Sequence, residues 1–73
     1  MILSKAEIGK DYLVLKISAN QKDKIKLYKL GVFKMQTLRL VNKIAGGGVI
    51  ISVKFSDIVV GKNVAEKITV EKL

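Results

Sequence analysis

One short helix, marked at both ends and set among β-runs, constrains this chain more than any other feature. It reads from about Gln21 to Leu30. Asn20 is a good N-cap, and Asp23 stands three residues on, where its carboxylate can answer the free N–H groups of the first turn. Gly31 is the natural C′ residue, since that position usually takes a positive φ. Leu27 and Leu30 lie one turn apart and are expected to point into a core together. On both sides of the helix the chain reads as β-strand, so one short helix must plug a small sheet.

The strands follow from two-residue alternation. Tyr12–Ile17 is the first, with Leu13, Leu15 and Ile17 on the inward face and Tyr12, Val14 and Lys16 on the other. It is preceded by Leu3–Gly9, where Ser4 and Glu7 have capping-box spacing and predict one helical turn, anchored by Leu3 and Ile8. Val32–Gln36 is a connection. Thr37–Ile44 is the second strand, with Leu38, Leu40 and Ile44 inward and a bulge near Asn42, where Val41 breaks the alternation. Ala45–Gly48 forms a hairpin turn. Val49–Lys54 is the third strand, with Val49, Ile51 and Val53 inward, and Phe55-Ser56 turns the chain. Asp57–Gly61 is the fourth, with Ile58 and Val60 inward. Asn63–Glu66 makes one helical turn, and Lys67–Glu71 is the fifth strand, with Ile68 and Val70 inward. Five short strands, one inserted helix and no parallel crossover predict a mainly β fold, a small closed or nearly closed barrel that leaves no exposed sheet edge. The expected structural turns are Gly31, Gly46, Gly47, Gly48 and Gly61.

At 73 residues the chain is expected to be one domain of modest stability. It has no Cys and no His, which excludes disulfides and the usual zinc clusters. The net charge of +8 suits an acidic partner, a nucleic acid or a membrane surface, or simply a solubilising coat. Lysine outnumbers arginine thirteen to one. Arginine is the residue of bidentate phosphate and base recognition, so this basicity is a poor nucleic-acid signature. The start Met1-Ile2-Leu3-Ser4 lacks the apolar region of a signal peptide, and no apolar run approaches the roughly 20 residues of a membrane span. A soluble, intracellular chain that does not itself cross a membrane is expected.

The helix carries apolar residues on a second side. Ile25 and Tyr28 fall nearly opposite Leu27 and Leu30, with Lys22, Lys26 and Lys29 as a stripe between. Either these two residues pack under a neighbouring loop, or Lys22, Ile25, Lys26, Tyr28 and Lys29 form a partner surface. A homodimer would use such a side as readily as a foreign partner. Gly46-Gly47-Gly48 is not a phosphate loop, because Val49-Ile50-Ile51 follows where Lys-Ser or Lys-Thr would open a helix. None of the Ser or Thr residues has a recognisable base beside it in sequence, and the six carboxylates are scattered, with Glu7 and Asp11 the nearest pair. No catalytic residue, metal ligand or cofactor is predicted, and the chain is expected not to be an enzyme.

Three motifs in order and spacing resemble a known family. They are Leu27-x-x-Leu30-Gly31-Val32, Gly46-Gly47-Gly48-Val49-x-Ile51-x-Val53, and Ile58-Val59-Val60-Gly61-Lys62-x-x-Ala65-x-x-Ile68-x-Val70. With Leu3-Ser4-x-Ala6-x-x-Gly9 at the start, the pattern is similar to ferrous iron transport protein A, the FeoA family, over nearly the whole chain. The resemblance implies an SH3-like β-barrel with a helix inserted after the first strand. It also implies a small cytoplasmic accessory of bacterial ferrous iron uptake. The implied partner is ferrous iron transport protein B, a membrane transporter with a cytoplasmic GTP-binding domain, which would hold the small protein at the inner face of the membrane. The usual proposal is docking that tunes nucleotide turnover or pore opening. One departure stands out. The family commonly has Pro-Gly just after the Leu-Gly pair, where this chain has Lys34-Met35. Without glycine a positive φ is harder to reach there, so a different local backbone is expected. Phe33 and Met35 beside Lys34 are expected either to form an exposed apolar tip or, the favoured reading, to tuck into the barrel mouth. A small basic barrel that binds nucleic acid is the alternative reading, and the barrel domain attached to metal-dependent repressors is a third relative by fold.

Overall fold

Residues that alternate apolar and polar build most of the architecture. The computed structural model describes residues 1–73. A 3₁₀ turn at Leu3–Lys5 leads into β1 (Asp11–Ile17), α1 (Gln21–Lys29), β2 (Thr37–Lys43), β3 (Val49–Val53), β4 (Ser56–Val60), the single turn α2 (Lys62–Ala65) and β5 (Ile68–Lys72). The strands form one antiparallel sheet in the order β4-β3-β2-β1-β5. The sheet curls around a core of 16 buried residues. Val49, Ile51 and Val53, Ile58 and Val60, and Ile68 and Val70 all face this core, as their alternation predicts. The expected closure is not complete. β4 and β5 are the two ends of the sheet and do not pair. The outer edge of β5 is covered by the chain's own start: Ile2 bridges Thr69, the Val70 N–H donates to the Met1 carbonyl at 2.7 Å, and the Met1 amino group donates to the Val70 carbonyl at 3.0 Å.

In β1 the observed inward face is the opposite of the expected one. Tyr12 and Val14 are fully buried, whereas Leu13 and Leu15 are only half-buried. The Tyr12 hydroxyl explains the choice. It accepts a 2.8 Å hydrogen bond from the Glu7 N–H, so the ring can be buried with its polar end satisfied. A bulge between Val14 and Lys16 in the pairing with β5 then shifts the phase, and Ile17 turns back to pack on the core. The Glu7 N–H is thereby used, and the expected Ser4–Glu7 capping box does not form; Ile2 stands at the N-cap with no side-chain bond. Leu3 and Ala6 are buried there, while Ile8 is exposed rather than anchoring. The bulge expected near Asn42 is found between Leu40 and Asn42, and beyond it Ile44 is left partly exposed instead of inward.

The helix is capped as read from the sequence: Asn20 Oδ1 accepts from the Asp23 N–H at 2.8 Å. It ends at Lys29, and Gly31 takes a φ of +93°. Leu27 is buried, but Leu30 is 52% exposed, contrary to expectation. The left-handed turn at Gly31 brings Val32 into the core instead, fixed by its N–H to the Leu27 carbonyl at 2.8 Å. The next turn, Phe33–Gln36, is closed by the Gln36 N–H on the Phe33 carbonyl at 3.1 Å. Met35, at its third position, has a φ of +74°. A positive φ is thus reached at this position without glycine, against expectation. Two bonds to β1 hold it there: Met35 N–H to the Val14 carbonyl at 2.8 Å, and Val14 N–H to the Gln36 carbonyl at 2.9 Å. The hairpin between β3 and β4 turns on Lys54-Phe55, one residue earlier than expected, with Ser56 already paired to Val53. On the outer face Asp11 and Arg39 lie opposite each other in the β1–β2 ladder and are bonded at 2.8 and 3.3 Å. The guanidinium hydrogen bond holds the Asp11 carboxyl below its ordinary range, and the same bond raises Arg39.

Three measurements test this account. Tyr12→Phe leaves the Glu7 N–H without its partner and should cost about 1–2 kcal/mol in chemical denaturation; no loss would mean that packing alone sets the face of β1. Met35→Gly removes a left-handed penalty of about 1–2 kcal/mol and adds about 0.5–1 kcal/mol of glycine chain entropy. It should therefore raise the melting temperature by a few degrees, and a fall would show that the Met35 side chain is needed. Asp11→Asn should lower stability near neutral pH. Because the folded pKa of Asp11 is depressed, its contribution is present above about pH 4 and lost as pH falls through the lowered value, so wild type and variant should converge in acid.

Candidate functional site

The same bulge that turns Ile17 inward leaves Leu15 and Lys16 at the end of β1 beside the start of α1. Between β1, α1 and the turn after the helix runs an open groove of about 680 Å³. Leu15 and Ile17 line it from the strand, Ile25 and Tyr28 from the helix, and Val32 and Phe33 from the connection. Lys16, Lys24, Lys29 and Lys34 also line it, and no carboxylate does. Tyr28 is 66% exposed, and its ring meets that of Phe33 at 5.3 Å between centroids, tilted by 45°. Lys54, from the β3–β4 turn, places its Nζ 5.7 Å from the Phe33 ring centre. Of the two expected tips, Phe33 is half-buried in this wall and Met35 is exposed rather than tucked in.

The residues singled out on the helix divide between two places. Ile25, Tyr28 and Lys29 line the groove, uncovered by any loop. Lys26, again with Lys29, lines a second depression of about 500 Å³ between α1 and β4, together with Leu30 and Val59. Lys22 lines neither. Sequence reasoning missed the strand and turn walls, Leu15, Ile17 and Phe33, and the lysines Lys16, Lys24 and Lys34. Their convergence depends on the left-handed turn at Gly31, which the sequence marks, and on the β1 bulge, which no local pattern shows. Among the expected glycine turns, Gly31, Gly46 and Gly47 have positive φ, and Gly61 is the N-cap of α2. At Gly48 a Cβ would stand 3.1 Å from the Val60 carbonyl oxygen, so the β2–β3 hairpin passes close to the end of β4.

Chemically, the groove offers apolar burial and a one-signed electrostatic rim. Its lining holds no carboxylate, and no three acidic side chains gather anywhere in the chain. No helix is long and apolar enough to cross a membrane. An acidic segment carrying an apolar side chain is the ligand class such a surface suits.

The model of the FeoA domain matches residues 1–72 of this chain. Among solved structures, an iron uptake regulatory protein (FeoA) superposes with a TM-score of 0.90 at 27% identity, covering 100% of this chain and 97% of that one. A FeoA protein from Chlorobium tepidum gives 0.91 at 24% identity, over 100% of this chain and 70% of that one. The manganese regulator SloR gives 0.86 at 22% identity, over 100% of this chain but 34% of that one, a likeness of fold alone. No curated protein matches the sequence significantly. The curled five-stranded sheet with its helix after β1 is therefore an SH3-like fold, and the chain belongs to the FeoA family, which is involved in ferrous iron uptake.

Proposed function

We propose that this protein is a non-enzymatic accessory that works at the cytoplasmic face of the membrane by docking on ferrous iron transport protein B and modulating it. The observation that carries this reading is the lysine-lined apolar groove between β1 and α1, added to membership of the FeoA family. Ile25 and Tyr28 are large apolar residues left open on a helix whose other side is already committed to the core through Leu27. Burying what is still open of them against a partner gains roughly 1–2 kcal/mol each. The lysines would steer association with an acidic face and contribute more to the rate of encounter than to residence.

A small basic barrel that binds nucleic acid is the competing reading, favoured by the net charge of +8. Base stacking calls for aromatic platforms beside the basic groove. Here the only ring pair, Tyr28 with Phe33, is tilted within the groove wall, and Arg39 is bonded to Asp11.

The test is a binding titration of the purified protein against detergent-solubilised transporter, with nucleotide present and absent. Saturable binding is expected. The Ile25→Ala, Tyr28→Ala double variant should keep its circular dichroism spectrum, because both residues are exposed, and should bind about 10–100-fold more weakly. Unchanged affinity would place the contact elsewhere. Absence of wild-type binding in both nucleotide states, with salt-sensitive binding to single-stranded DNA or RNA, would replace this reading by the nucleic-acid one.

A further inference from the structure

The turn between β3 and β4 carries strain that nothing inside the protein uses. It is two residues long, Lys54 and Phe55, because Val53 and Ser56 are directly paired. Their φ angles are +49° and +70°. Two consecutive positive φ values are what a two-residue hairpin of type I′ requires, and Asn-Gly supplies them with least strain. A phenylalanine in that position would ordinarily be compensated by packing. Phe55 is 105% exposed, as open as in an extended chain, and lines none of the depressions on the surface. It is a projecting knob.

Its neighbours are basic and apolar. Arg39 pairs with Ser52, so the start of β2 lies beside the end of β3 that leads into this turn. Met35 is 63% exposed, and its backbone is also left-handed. Lys54 reaches back over Phe33. The carboxylates closest along the ladders are Asp11, engaged by Arg39, and Asp57, two residues down β4. The tip of this hairpin therefore presents an unsupported apolar side chain, Phe55, beside Lys54, with Lys34 and the exposed Met35 on the segment that leads into the neighbouring strand β2, on a chain of net charge +8.

We infer that this end of the sheet docks on an anionic lipid bilayer, with Phe55 entering the interface and Lys34 and Lys54 facing the headgroups. A convex apolar knob needs a matching pocket in a rigid partner, but a fluid interface accepts it anywhere, and phenylalanine is among the apolar residues that interfacial segments bury at the headgroup–acyl boundary. Lysine is a compact point charge suited to a diffuse anionic layer, whereas arginine suits defined bidentate partners. One inserted side chain with a few lysines gives weak, reversible attachment. The inference stands on Phe55, which lines no groove; Lys34 also borders the β1–α1 groove, so Phe55→Ala is the variant that separates the two surfaces.

The test is co-sedimentation with vesicles of phosphatidylcholine alone and of phosphatidylcholine mixed with phosphatidylglycerol, on wild type, Phe55→Ala and the Lys34→Glu, Lys54→Glu pair. Wild type should bind only the anionic vesicles and be released by high salt. Phe55→Ala, with its charge unchanged, should bind about tenfold more weakly, and the lysine pair at least as much so. The chain has no tryptophan, so Phe55→Trp gives a single probe whose emission should shift to the blue on anionic vesicles. Equal binding by wild type and Phe55→Ala, with no emission shift, would reduce the effect to bulk charge and overturn the inference. An emission shift with detergent-solubilised transporter but none with vesicles would assign the tip to a protein and overturn it equally. Because the Ile25 and Tyr28 variant keeps Phe55, its vesicle binding should be unchanged even if transporter docking fails.

Discussion

The bulge between Val14 and Lys16 is the constraint on which the rest of this small structure depends. Up to Val14, β1 offers even-numbered residues to the core; past the bulge, Ile17 faces it instead. A strand without that extra residue would keep one phase throughout. Either Ile17 would point away or Tyr12 would, and Tyr12 carries the bond that ties the N-terminal segment down through the Glu7 N–H. The phase change also sharpens the local bend, which lets a sheet of only five strands curl around 16 buried side chains. The same step leaves Leu15 and Lys16 beside α1, which begins only four residues after the strand ends. Core and groove are therefore two consequences of one irregularity.

What could be read in advance follows from how local each determinant is. β3, β4 and β5 keep strict alternation, and their inward residues could be named from the sequence. β1 could not be phased, because Tyr12 through Ile17 is apolar at every position except Lys16, so both faces compete and a contact to Glu7 decides. The same holds at the helix end. Leu30 has the right spacing from Leu27, but Val32 reaches the core after the turn at Gly31 and displaces it. On the candidate site, Ile25 and Tyr28 stood out because a plug helix needs only one apolar side. Phe33, Leu15 and the lysines around them are brought together only by tertiary structure. Lys22, chosen for its place in a charged stripe, stands apart from both depressions.

The turn at Lys34-Met35 illustrates how far tertiary bonds can override residue preference. Local propensity argues against a left-handed methionine. Yet the turn is held on both sides by exchange with Val14 and closed on itself through Phe33 and Gln36. Releasing the strain would break bonds to β1 at the very place where its phase changes, and those bonds are worth more than one unfavourable φ. The fold shared with the FeoA structure is thus kept with Lys34-Met35 at this turn.

The buried side chains are hydrophobic, with the bonded Tyr12 hydroxyl their one polar atom, and no charged side chain is buried. Asp11 and Arg39, the one lowered and the other raised by their shared hydrogen bond, form an exposed pair on the outer face. Every lysine is exposed as well. A protein built this way can discriminate among partners only through its outer shape and its field. Field alone would attract any acidic body, at a rate that salt screens within roughly 10 Å at ordinary ionic strength. Selection must then come from where exposed apolar groups interrupt the basic coat. The groove around Ile25 and Tyr28 is concave and suits a side chain offered by a partner, whereas Phe55 projects and suits a surface that yields. Because the two lie on adjoining parts of one molecule, linked by Lys54 over Phe33, a partner embedded in a membrane is the arrangement that engages both at once.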